Sequence, residues 1–274
     1  MSLSLPLSPQ VFAILSALVE ERTGLHYDLR ELELFAERVS GRAVERGFES
    51  LLDYYYFLRY DDMADSELAL LVDALVVNET YFFREISPLK IVVSELLPPL
   101  LARGIRPRIW CAACSSGEEP LTLAMLLDEA KLLEQVTIVA SDISARVLAQ
   151  AKEGVYRRRS LRSLPPGVVG RWLSGDENGM RVAPHLAQAI TWRRVNLADE
   201  REPTELGTFH IILCRNVLIY FRDQTIEKVV TRLWHQLEPD GHLVVGASES
   251  LLRFKVAFAC HEQGGAFFYR KTLK

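Results

Sequence analysis

Apolar residues recur at steps of three and four through Val11, Phe12, Leu15, Leu18 and Val19. They do so again through Leu51, Leu52, Tyr55, Tyr56 and Leu58, and through Leu68, Leu70, Leu71 and Leu75. That period marks one face of an α-helix. Strand signals are nearly absent over this stretch, and Gly24, Gly41 and Gly47 are its only glycines. Residues 1–76 therefore read as an all-helical N-terminal domain. After Pro107 short apolar runs alternate with helical stretches. Strands are predicted at Arg108–Cys111, Val136–Ser141, Phe209–Cys214 and His242–Gly246, the last behind a Pro239-Asp240-Gly241 turn. Helices are predicted at Pro120–Leu133, with proline in the first turn, at Ala145–Glu153, closed by Gly154, and around Gln224–Leu237. Such alternation predicts a doubly wound parallel sheet. The tail departs from it: Val256–Cys260 and Ala266–Tyr269 flank Gly264-Gly265 and read as a terminal hairpin.

One stretch interrupts the alternation. Between Tyr156 and Asn196 lie Arg157-Arg158-Arg159, Pro165-Pro166, the polar turn Ser174–Gly179 and the run Ile190–Val195. It reads as a small inserted antiparallel β-subdomain at about 156–196, or as a long surface excursion. A linker over 77–88 then joins the helical domain to an α/β domain over 89–274.

Composition narrows the function. The chain has 274 residues, 49% of them hydrophobic and 25% charged, as in an ordinary globular protein. A net charge of −4 gives no support for bulk nucleic-acid binding. No segment approaches the roughly 18 uninterrupted apolar residues of a membrane span, and Met1–Gln10 lacks a basic, apolar leader pattern, so the expected compartment is the cytoplasm. The four cysteines are Cys111, Cys114, Cys214 and Cys260. Cys111-x-x-Cys114 has redox or half-zinc spacing, but no second pair completes a metal site. Small side chains where a strand turns into a helix are the simpler reading.

The candidate chemistry sits in segments at strand ends or turns, where an open α/β sheet keeps its ligand site. Trp110–Pro120 runs from a strand through small residues and Gly117 into a helix start, whose free N–H groups suit a nucleotide-type cofactor. It lacks the G-x-G-x-x-G of dinucleotide enzymes and carries Glu118-Glu119 instead. Two carboxylates there suit a ligand with cationic and hydroxyl groups; they equally suit a helix dipole. Asp142, ending the second strand, is placed to take ribose hydroxyls or to cap the next helix. Arg84, behind two phenylalanines, needs a partner if buried. Arg38, Arg42 and Arg46 stand four residues apart and would form one basic helical stripe.

Several of these segments, taken in order, resemble the CheR family of chemotaxis receptor methyltransferases. They are Asn78-Glu79-Thr80-Tyr81-Phe82-Phe83-Arg84, Ala112-Ala113-Cys114-Ser115-Ser116-Gly117-Glu118-Glu119-Pro120, Ser141-Asp142-Ile143, Asn196-Leu197 and Cys214-Arg215-Asn216-Val217-Leu218-Ile219-Tyr220-Phe221. The resemblance implies a Rossmann-like methyltransferase domain behind a helical receptor-docking domain. It implies S-adenosylmethionine as cofactor, and methyl transfer to glutamates on the cytoplasmic helical domain of methyl-accepting chemoreceptors. It places Asn78, Thr80, Arg84, Glu118, Glu119, Asp142, Asn196, Leu197, Arg215 and Asn216 at the cofactor, leaving open which of Glu118 and Glu119 faces it. Arg84 and Tyr220 become the catalytic candidates, and Arg38, Arg42 and Arg46 the substrate-docking ones. The Ser174–Gly179 turn is shorter than the loop of members that bind a receptor C-terminal pentapeptide, so independence of that tether is expected. The competing readings are a methyltransferase with another acceptor, a non-catalytic S-adenosylmethionine sensor, and an NAD enzyme. The missing proline pair after the strand before Tyr220 disfavours nucleic-acid amino methylation.

Overall fold

The computed structural model describes residues 5–176, 178–263 and 266–272. Its first unit is a bundle of α1 (Pro9–Thr23), α2 (Leu32–Glu45), α3 (Leu51–Tyr60) and α4 (Ala64–Leu75). Local chemistry sets the ends of α1: the Ser8 hydroxyl accepts from Val11 N–H, Pro9 opens the first turn and Gly24, at φ 78°, closes it. The bundle core holds Leu15, Val19, Phe35, Val39, Tyr54 and Leu71. Helix α3 buries Leu51, Tyr54 and Leu58 and leaves Leu52 and Tyr56 exposed, so its inward face is rotated from the predicted one.

Helices α5 (Ser87–Ile91) and α6 (Leu97–Ala102), joined by a π turn over Val92–Leu96, lead into the sheet. The sheet elements are β1 (Arg108–Ala112), α7 (Glu118–Glu129), β2 (Thr137–Asp142) and α8 (Ala145–Glu153). After the excursion come β6 (Ile190–Arg194), β7 (Phe209–Cys214), α10 (Asp223–Gln236), β8 (Leu237–Val245), β9 (Phe258–Gln263) and β10 (Ala266–Lys271). Strand order is β6-β2-β1-β7-β8-β10-β9, parallel through β8 and antiparallel beyond it. Alternation along β1 feeds two cores: Ile109 and Cys111 face α7, while Trp110 and Ala112 face α10. The terminal hairpin forms with the predicted strands, and Gly264-Gly265 lies outside the described residues.

The excursion differs from expectation in one strand. Strands β3 (Val155–Tyr156), β4 (Leu173–Asp176) and β5 (Gly179–Val182) make a separate antiparallel sheet, followed by α9 (Pro184–Gln188). Ile190–Arg194 does not join it; it is the parallel edge strand of the main sheet beside β2. Similarly, Pro239-Asp240-Gly241 is no separate turn but a bulge within β8, where the register against β7 slips between Phe209 and Ile211.

The two units meet closely. Leu25 bridges to Phe221, His26 N–H donates to Tyr220 O at 2.9 Å, and Asn196 Nδ2 donates to Arg22 O at 2.7 Å.

Candidate functional site

A cleft opens at the carboxyl ends of β1, β2, β6 and β7, roofed by the end of α4 and the linker after it. Its position is that expected for an open α/β sheet. Asn78, Thr80 and Arg84 from the linker, Glu119, Asp142, Asn196 and Leu197, and Arg215, Asn216 and Tyr220 all line it. The fold thus brings together every cofactor and catalytic candidate except Glu118.

The turn after β1 explains that exception. Ala113, Ser115 and Gly117 all have positive φ, at 56°, 49° and 91°. This winding sends adjacent carboxylates opposite ways. Glu118 turns inward, 1% exposed, and accepts from the hydroxyls of Ser116 at 2.8 Å and Ser160 at 2.7 Å. Burial pushes its pKa up against those hydrogen bonds. Glu118 is thus corrected from cofactor candidate to a tie between the turn and the segment after β3. Glu119 faces the cleft. Gly117 is required by its φ of 91° and by packing: a Cβ there would lie 2.8 Å from Ala151 Cβ and 2.9 Å from the Trp192 ring.

Glu119 belongs to a charge cluster organised by Arg215, whose side chain is 2% exposed. Nη1 donates to Glu119 Oε2 at 2.7 Å; Nη2 donates to Glu85 Oε2 at 3.0 Å and to Glu85 O at 3.1 Å. Two carboxylates thus share one guanidinium, and Arg84 adds a second cation 3.9 Å from Glu85. Burial pushes the Glu119 pKa up despite Arg215. For Glu85 burial also pulls upward, but the Arg215 charge and hydrogen bonds outweigh it and hold the carboxyl below its usual range. Asp142 accepts from Ser115 N–H at 2.8 Å and Ser144 N–H at 3.0 Å, so it is oriented by backbone while still lining the cleft. Burial raises its pKa, opposed by those donors.

Arg84 donates to Glu79 O at 2.8 Å, and its guanidinium lies 5.9 Å from the Tyr81 ring centre. It stays partly exposed on the cleft wall facing Tyr220, whose phenol is pushed up by burial and drawn back by the Arg84 charge. The neighbouring Phe82 is core, edge-on to Tyr156 at 4.8 Å.

Glu249 escaped sequence reasoning. It is 5% exposed, and its carboxylate accepts from the backbone N–H of Asn216 at 2.6 Å, Gly246 at 2.7 Å, Leu218 at 2.7 Å and Ile219 at 3.4 Å. It therefore holds the strand-end loop that carries Asn216 and Tyr220. The available signal was a carboxylate in Ser248-Glu249-Ser250 directly behind an apolar strand. Glu85, between Arg84 and an apolar helix, was missed for the same reason.

The three arginines proposed as a docking stripe have different surroundings. On α2, Arg42 turns into the bundle, donating to both oxygens of Glu67 at 3.0 and 2.9 Å, while the Tyr54 hydroxyl donates to the same carboxylate at 2.8 Å. Arg38 donates to Leu75 O at 2.6 Å, and Arg46 stacks 5.5 Å over Phe57. A buried carboxylate needs its counter-ion, so Arg42 serves the helical domain, while Arg38 ties α2 to the end of α4. Arg42→Ala is expected to cost about 3 kcal/mol in urea denaturation of the full chain, because Glu67 at 3% exposure is left unpaired. Unchanged stability would mean that solvent reaches Glu67.

Cys111, Cys114 and Cys214 are buried with thiol pKa values pushed up by burial, and no metal-competent cluster exists among the described residues. No helix of the described residues is long and apolar enough to cross a membrane.

The cleft lies at the switch point of the parallel sheet, between β1 and β7, and the turn into α7 lacks the glycine fingerprint of a dinucleotide site. The chain belongs to the CheR methyltransferase family: residues 78–265 match its SAM-binding domain and residues 10–76 its all-alpha domain. It is 35% identical over 244 residues to chemotaxis protein methyltransferase 2 of Vibrio cholerae, covering 87% of this chain and 84% of that one. It is 33% identical to chemotaxis protein methyltransferase 1 of Pseudomonas aeruginosa, covering 88% and 90%. With the chemotaxis protein methyltransferase of Borreliella burgdorferi it shares 30% identity, covering 91% of each. The cofactor is therefore S-adenosylmethionine, and the donor set fits it. Carboxylates suit hydroxyl and ammonium groups. Two buried polar atoms on cleft-lining residues, Arg215 Nε and Ser115 Oγ, have no partner among the described residues and suit a polar ligand.

Proposed function

We propose that this protein methylates glutamate side chains on the cytoplasmic helical domain of chemoreceptors, forming methyl esters, without dependence on a receptor C-terminal pentapeptide. The observation that carries the proposal is the convergence of Arg84 and Tyr220 on the same cleft as Asp142, Glu119 and Arg215. The names of the relatives supply the chemotaxis context. The short β4–β5 connection supports independence of the tether.

Bound S-adenosylmethionine supplies a methyl group on a cationic sulfur, open to displacement by a carboxylate oxygen. Asp142 takes the ribose hydroxyls. Glu119, Arg215, Asn78 and Thr80 would hold the methionine end, and Leu197 with Asn196 would close the adenosine side. A glutamate with a pKa near ~4.3 is already ionised at neutral pH, so the protein needs no general base. Its work is positioning and charge management. Arg84 orients the accepting carboxylate by a charge-assisted hydrogen bond, and Tyr220 aligns it from the opposite wall.

Calorimetric titration with S-adenosylhomocysteine is expected to show binding that Asp142→Ala weakens on the order of a hundredfold, with NADH inert. Absence of binding by folded wild-type protein would overturn the placement of the cofactor in this cleft. In a base-labile methyl-ester assay on receptor membranes, Arg84→Ala is expected to cost about 3 kcal/mol in the barrier. Near-normal turnover would remove Arg84 from catalysis.

A further inference from the structure

The stripe on α2 is largely engaged within its own domain, yet a second cluster of arginines stands at the mouth of the cleft. Behind β3 the chain makes a tight turn, in which Ser160 N–H donates to Arg157 O at 2.9 Å and Leu161 N–H to Arg158 O at 3.2 Å. The turn exposes Arg157, Arg158, Arg159 and Arg162. It is anchored to the site at three points. Phe82 N–H donates to Ser160 O at 3.0 Å, Ser160 Oγ donates to Glu118 at 2.7 Å, and Tyr156 OH donates to Ser116 O at 2.6 Å. The Arg162 guanidinium sits 3.8 Å from the centre of the Tyr81 ring, whose other neighbour is Arg84 at 5.9 Å. Tyr81 and Arg84 both line the cleft.

The charge balance at this rim is one-sided. Glu79 is the carboxylate that answers the turn, 3.3 Å from Arg162 and 3.9 Å from Arg159. Arg159 nonetheless remains 73% exposed, and Arg157 and Arg158 make no ion pair among the described residues. In a chain of net charge −4 this is a local positive field beside the reacting centre. We infer that the Arg157–Arg162 turn is a docking surface for the negatively charged helical segment that flanks the accepting glutamate. The inference rests on the proposed function and adds the face on which that substrate lies. The occupant follows from charge complementarity: an accepting carboxylate at Arg84 places its neighbours on the same helix over the turn, within a Debye length of about 8–10 Å.

The test is methyl-ester formation by the full chain on receptor membranes, comparing wild type with Arg157→Glu/Arg158→Glu/Arg159→Glu. None of the three lines the cleft. The triple variant is expected to raise KM for the acceptor at least tenfold, leave kcat within twofold and leave S-adenosylhomocysteine affinity unchanged. Raising salt to 0.5 M should raise the wild-type KM and leave the variant's nearly flat. The neutral triple variant with glutamine at the same positions, expected to show an intermediate KM, serves if charge reversal disturbs the turn. Wild-type esterification with an unchanged KM in both variants overturns this inference alone. A wild-type protein that binds the product but forms no base-labile ester overturns the proposed function, and this inference with it.

Discussion

Arg215→Ala is expected to lower stability by about 4 kcal/mol and to abolish measurable S-adenosylhomocysteine binding. Among the described residues the guanidinium is the only counter-charge in contact with half-buried Glu119, and it also caps the Glu85 side chain and carbonyl. Truncating one member of a buried pair leaves a desolvated charge, which costs far more than the pair contributes. Two further variants separate the fold from the site. Arg215→Met with Glu119→Gln removes both charges and is expected to recover most of the stability without restoring binding. Arg215→Lys keeps the charge but not the planar fork that reaches two carboxylates at once, and is expected to fold yet bind at least tenfold more weakly. Urea denaturation and calorimetry read the two effects separately. An Arg215→Lys variant with wild-type affinity would show that only the charge matters.

Glu249→Ala is expected to cost about 4 kcal/mol as well, with a large fall in kcat. Four backbone N–H groups between Asn216 and Gly246 converge on one carboxylate, and each buried donor left without an acceptor costs roughly 1–3 kcal/mol, reduced where water enters the space. The effect on turnover follows from what those donors hold. Asn216 has φ 59°, and the loop behind it carries Tyr220 to the cleft. Glu249→Gln is the sharper test. Its volume is preserved, but its amide NH₂ would face N–H donors, so it is expected to behave closer to alanine than to wild type. Wild-type melting and turnover in Glu249→Gln would refute the positioning role.

How far the sequence carried varies by element, for identifiable reasons. Period-2 and period-3.6 patterns place the helices and the parallel strands because each must bury one face or stripe. The edge position of Ile190–Arg194 was not legible, since a short apolar run has the same pattern in a small hairpin as beside β2. The bulge inside β8 was read as a turn because Pro239-Asp240-Gly241 has turn chemistry whether or not a strand continues through it. For Glu118 and Glu119 adjacency hides the outcome: three positive-φ residues before them decide which faces inward. Arg42 looked like part of a surface stripe because spacing along α2 says nothing of Glu67 on α4, 25 residues away.

By itself, then, the sequence determined the class of fold and the cofactor, and pointed to the segments that the fold gathers at one cleft. These depend on local periodicity and on contiguous motifs, both of which a linear chain displays. Only the tertiary structure decided which carboxylate meets the cleft, which arginines are paired and which stay exposed at its rim among the described residues, and that Glu249 braces the loop carrying Asn216 and Tyr220. Those outcomes depend on desolvation and on pairing between charges far apart in the chain, and burial of that kind exists only once the elements have packed.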